Sequence, residues 1–182
     1  SNWFTTVWIY NPNATSVSVD IYFLERNKNN VTTPPPKYTD TILAGETKFY
    51  ENIVENTFGK QVYGALRITS TDKIVATSRT FSKESAASPL DQSFGQDFAA
   101  VPASFAIGLN ETTAILGGYQ TLPDTSPQQH TNMGCVETTG KSATVRWSAR
   151  NPAGAEVDTF DKAILPLSQV QGAYKDYFEA TS

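Results

Sequence analysis

Residues 4–27 read FTTVWIYNPNATSVSVDIYFLERN, and residues 130–153 read HTNMGCVETTGKSATVRWSARNPA. The two stretches lie over each other without a gap at a spacing of 126 residues. Phe4 then meets His130, and Ile9 meets Cys135. The row Val17, Val19, Ile21, Phe23 meets Ala143, Val145, Trp147, Ala149. Few of these matches are identities. What they share is apolar–polar alternation of period two, the signature of a half-buried β-strand. A slip of one residue would turn the whole apolar face to solvent, so register relates the stretches more firmly than identity does.

The spacing then changes. TILAGETKFYENIVENTF, from Thr41, falls on AILPLSQVQGAYKDYFEA, from Ala163, at a spacing of 122, with Ile42 over Ile164. The difference of four residues sits in the polar loop RNKNNVTTPPPKYTD, where loop length costs little. The chain is therefore expected to contain an internal repeat.

Turn chemistry separates the strands. NPNAT places Pro12 between Asn11 and Asn13, whose side chains can bond their own backbone. VENTFG reads as one helical turn closed by Gly59. GALRITS–TD–KIVATSRTF reads as a hairpin, and SFGQDFAAVPASFAIG as an irregular aromatic segment. TTAILGGYQTL reads as a strand with a Gly-Gly bulge. No long segment has a helical period. The expected class is all-β: two antiparallel β-sandwich units, residues 1–85 and 86–182, the second incomplete at its C-terminal end. The first unit lacks a leading strand and the second its trailing strands, so each is expected to miss one or more edge strands.

Composition narrows the function. Of 182 residues, 18% are charged, and the net charge is -4. No basic run exceeds two residues, which argues against nucleic acid as a partner. Apolar runs are far too short to span a bilayer as a helix, so no membrane insertion is expected. The chain opens on Ser1 without Met or a secretion signal, as a mature, cleaved or recombinant product would. A surface of Thr, Ser and Asn with a single Cys suits an extracellular or cell-surface setting.

Reactive residues are few. His130 and Cys135 are the only His and Cys, with Asn132 between them. On one strand they stand on opposite faces, about 16 Å apart, and cannot form a nucleophile–base pair. Cys135 overlies Ile9 and reads as a small core residue. The pairs Asp91 and Asp97, Asp158 and Asp161, and Glu51 and Glu55 lack the spacing of a calcium loop. No GxSxG elbow occurs. No catalytic residue, metal ligand set or cofactor is expected, and the chain is read as no enzyme. Three sequons, at Asn13, Asn30 and Asn110, fall in expected loops and are candidate glycosylation sites. Trp3, Trp8, Tyr10 and Tyr22 are candidate outward aromatics, fit for a protein interface or for stacking on sugar rings.

The order FTTVWIYNPNATSVSVDIYFL, ILAGETKFYENI, GALRITSTDKIVATSRTF, FGQDFAAVP resembles the uncharacterised tandem Ig-like β-sandwich repeats of large secreted and surface proteins of bacteria. AGET, GALRITS, IVATSRTF and FGQ…VP carry that resemblance, over roughly residues 3–178. It implies export, a modular build and no catalytic residues. The resulting expectation is a structural or adhesion protein, a module of a surface protein or a filament subunit. It would associate with its own kind, or with neighbouring domains, head-to-tail by β-strand addition. The alternative is a carbohydrate-binding module, with a glycan as partner.

Overall fold

Alternation decides where the strands form, and the computed structural model describes residues 3–83, 85, 87–89, 93–114 and 132–178. The fold is all-β with antiparallel pairing. Seven strands precede residue 100: β1 (Trp3–Tyr10), β2 (Val17–Glu25), β3 (Lys37–Ile42), β4 (Thr47–Tyr50), β5 (Gly64–Ser70), β6 (Val75–Ser82) and β7 (Phe94–Ala99). A single helical turn, α1 (Ile53–Asn56), lies between β4 and β5 and unwinds at Gly59, as its sequence suggests. Four strands follow residue 131: β8 (Asn132–Val136), β9 (Ala143–Arg150), β10 (Glu156–Ile164) and β11 (Gln169–Ala173).

Two compact units divide the chain. One comprises Ser1–Leu24 and Pro35–Ser104, the other Glu25–Pro34 and Phe105–Ser182. The loop segment Glu25–Pro34 thus groups with the second unit although it lies between β2 and β3 in the chain.

The first unit has two sheets, ordered β4-β1-β6-β7 and β3-β2-β5. They share one core. Val7 and Ile9 come from β1, Val17, Val19 and Ile21 from β2, Ile42 from β3 and Ile53 from α1, each at most 2% exposed. Burying each such side chain contributes about 1.5–3 kcal/mol, which holds the alternation in register. Leu66 and Ile68 of β5 and Ala76 of β6 pack on this core from the side.

The short links β1–β2, β3–β4 and β5–β6 each carry the chain from one sheet to the other. Residues 64–81 are therefore an arch rather than the expected hairpin: β5 pairs with β2, and β6 pairs with β1. Both arms are apolar on alternate residues and each finds a better partner in the core than in the other. Residues 94–99, expected to be irregular, form a strand on the open side of β6. Gly95 permits this close approach, because a Cβ there would come within 2.5 Å of the Phe81 Cβ.

Among the described residues the second unit has two two-stranded sheets, β11-β8 and β10-β9. Their registers match those of the first unit at the two spacings found in the sequence. Val17 faces Ile42, and Ala143 faces Ile164. Ile9 faces Lys48, and Cys135 faces Val170. Among the described residues the buried apolar side chains here are Met133, Ile164, Val170 and Phe178. Tyr177 adds contacts to the Trp147 and Phe160 rings, at 6.4 and 5.1 Å.

Candidate interaction surfaces

On β1 the core takes Val7 and Ile9, so Phe4, Trp8 and Tyr10 point to the other face of the four-stranded sheet. Trp8 stands between Phe49 on β4 and Thr77 on β6. The Trp8 and Phe49 rings lie 5.5 Å apart at 51°. Tyr10 is 40% exposed and Phe49 56%. Phe4 stacks on Phe81 at 5.6 Å, and Lys83 and Arg79 sit over these two rings. Phe4, Thr6, Phe81, Lys83, Glu51 and Asn52 border an open hollow of about 380 Å³.

The four aromatics chosen from sequence therefore do not form one row. Trp8 and Tyr10 share a face. Trp3 has the opposite parity on the same strand. Tyr22 belongs to the outer face of the three-stranded sheet, where Arg67 lies 5.8 Å from its ring centroid and its hydroxyl donates to Asp20 Oδ2. Phe49 and Phe81 were missed, although their strand parity sets them beside Trp8 and Phe4.

Carboxylates serve as structural anchors. Thr39 Oγ1 donates to Asp20 Oδ1 at 2.5 Å, and Lys37 adds an ion pair at 3.3 Å; together they lower the Asp20 pKa. At Asp40 burial acts to raise the pKa, but hydrogen bonds from Lys48, the Thr41 N–H and Tyr50 outweigh it. Tyr50 is pushed the other way, first by burial and then by donating to Asp40 at 2.9 Å. Arg146 meets Asp161 through two hydrogen bonds of 2.8 Å, which holds that carboxyl below its ordinary range. Among the described residues no three His, Cys, Asp or Glu side chains gather as a metal site would require.

Two turns are latched by one side chain each. Asn11 is fully buried; its Nδ2 donates to Thr15 O, Ile42 O and Leu43 O at 2.8–3.1 Å. Its Oδ1 accepts from the Asn13 N–H at 2.9 Å. In the second unit Glu137 holds the corresponding place. It accepts from Thr139 N and Oγ1, Gly140 N and Leu167 N, at 2.5–2.9 Å. The backbone agrees: Asn11 N donates to Glu46 O, and Glu137 N to Ser168 O, both at 2.9 Å. Burial acts to raise the Glu137 pKa, but these four donors outweigh it and hold the carboxyl below its usual 4.5.

The sequons differ in setting. Asn110 is exposed, with φ 64°. Asn13 donates to Asn11 Oδ1 and to Lys73 O, at 2.8 and 2.7 Å. Asn30 is only 3% exposed, and its Nδ2 donates to Glu25 O, Lys28 O and Leu167 O. That amide joins the Glu25–Pro34 segment to the β10–β11 turn, and a glycan on it would break those bonds. Cys135 is half-buried on the same parity as Met133, and burial pushes its thiol pKa up. His130, Asp91 and most of TTAILGGYQTL lie outside the described residues.

Edges complete the surface. Among the described residues β7 is the last strand of its sheet, and Phe94 and Phe98 on it are 81% and 49% exposed. Among the described residues, β8 pairs only with β11 and β9 only with β10. Comparison of the chain with family models, with curated proteins and with solved structures yields no match.

Proposed function

We propose that the chain is a non-enzymatic structural or adhesion module built from two copies of one Ig-like β-sandwich unit. In this reading the module belongs to an extracellular or cell-surface protein and associates with its own kind by β-strand addition. The observation that carries it is the shared register. Val17–Ile42 and Ala143–Ile164, Ile9–Lys48 and Cys135–Val170, Asn11 N–Glu46 O and Glu137 N–Ser168 O are the same contacts at spacings of 126 and 122. Strand edges that offer backbone donors and acceptors favour association through the ladder.

Export rests on the sparse charge, the Thr- and Asn-rich surface and the single cysteine. The carbohydrate reading is the weaker one, because Trp8 and Phe49 are tilted by 51° and so offer no flat platform. Sedimentation and electron microscopy of the purified chain test association. Concentration-dependent, head-to-tail assemblies are expected; a monodisperse monomer at every concentration overturns the filament form of the proposal.

A further inference from the structure

The first unit displays an arch that has no counterpart among the described residues of the second. In the first unit, β6 pairs with all eight residues of β1, from Trp3–Ser82 to Tyr10–Val75, and β5 lies beside β2. This arch, Gly64–Ser82, brings Leu66, Ile68, Ile74 and Ala76 against the core. The counterparts of β1 and β2 are β8 and β9, and among the described residues the corresponding edges have no strand. The side chains respond. Val17, Val19 and Ile21 are at most 1% exposed, whereas Ala143 is exposed and Val145 and Trp147 are half-buried.

We propose that β8 and β9 accept one strand arch of the Gly64–Ser82 pattern from a further unit of this kind. One arm would run antiparallel to β8 and the other would lie beside β9. The choice of an arch follows from the two deficits together. A strand from a flat edge would extend one ladder but supply nothing to the half-buried row on β9. A glycan would satisfy neither ladder. An arch fills both sheets and the core between its arms, as Gly64–Ser82 does in the first unit. The Ala76 position of the incoming arch would oppose Cys135, as Ala76 opposes Ile9. The proposal rests on the repeat reading above.

Cys135, the only thiol, reports on the edge. The full chain is titrated with the synthetic peptide GALRITSTDKIVATSRTFSK, residues 64–83, while maleimide labelling of Cys135 and amide exchange are followed. Labelling is expected to slow roughly tenfold or more at saturation, and β8 and β9 amides to become protected. The same peptide carrying Leu66→Asp and Ile68→Asp should do neither. Two results would overturn the proposal: no protection at millimolar peptide, or β8 and β9 edge amides already protected in the free monomer. A chain that stays monomeric but captures the peptide defeats the filament reading and leaves this one standing.

Discussion

Asn11 and Glu137 solve one problem in two ways. Each sits where the first strand of its unit turns toward the next, and each ties that turn to the loop after the third strand. Asn11 does so with a neutral amide that is fully buried and meets three carbonyls. Glu137 does so with a carboxylate that gathers three N–H groups and a hydroxyl. Most donors and acceptors are reversed: Asn11 Nδ2 donates to three backbone carbonyls, whereas Glu137 accepts throughout, and only the contact with the N–H two residues on, at Asn13 and Thr139, keeps one direction. The same backbone path can thus be latched by opposite polarity. Which polarity is used decides whether the latch responds to pH.

The sharpest way to break the comparison is Asn11→Ala. It strands three carbonyls and should cost about 3 kcal/mol or more by chemical denaturation, unfolding the first unit before the second. Next comes a matched pair with the same residue at the same register. Val19 is 0% exposed and Val145 half-buried. Val19→Ala should cost about 2 kcal/mol and Val145→Ala about half that or less; equal losses would show that the second core is as closed as the first.

Glu137→Gln should cost about 1–2 kcal/mol at neutral pH, because two of the amide's hydrogens would face donors. Its pH dependence has a definite sign. The folded pKa lies below the usual 4.5, so the folded state binds this proton less readily than the unfolded one. The stabilisation is present above the unfolded value and lost as pH falls through the folded pKa. Urea midpoints for the second unit should fall from pH 6 to pH 3 in the native chain, and fall less in Glu137→Gln. The smallest effect concerns the loops themselves. Gly45 has φ 70° and its counterpart Leu167 has φ 48°. Leu167→Gly should change stability by less than about 1 kcal/mol and Gly45→Leu should lower it by about 1–2 kcal/mol, measured as shifts in thermal midpoint.

Much of the architecture is legible in the sequence. The rows Val17–Phe23 and Ala143–Ala149 alternate with period two, and alternation alone names the faces of β2 and β9. The Gly59 stop and the NPNAT turn were equally plain, because Gly and Asn answer local backbone needs. The aromatics fared differently. Trp3, Trp8 and Tyr10 are close in sequence, yet parity sends Trp3 to the other face, and Tyr22 belongs to a different sheet. Asn30 reads as an open sequon in a polar loop, but its amide is consumed by Glu25, Lys28 and Leu167. Nothing near residue 30 announces a partner at residue 167.

Local physics settles the alternating faces and the turns, because each depends on neighbours a few residues away. Which sheet each strand joins is another matter. β5 and β6 are separated by four residues and look like a hairpin, but they part to either side of the core because Leu66, Ile68 and Ala76 gain more apolar contact there than against each other. β7 finds β6, and Glu25–Pro34 finds the β10–β11 turn, through backbone groups that carry no sequence label. Pairing at that distance is chosen by burial and by the need to satisfy backbone polar groups, and both are properties of the folded chain.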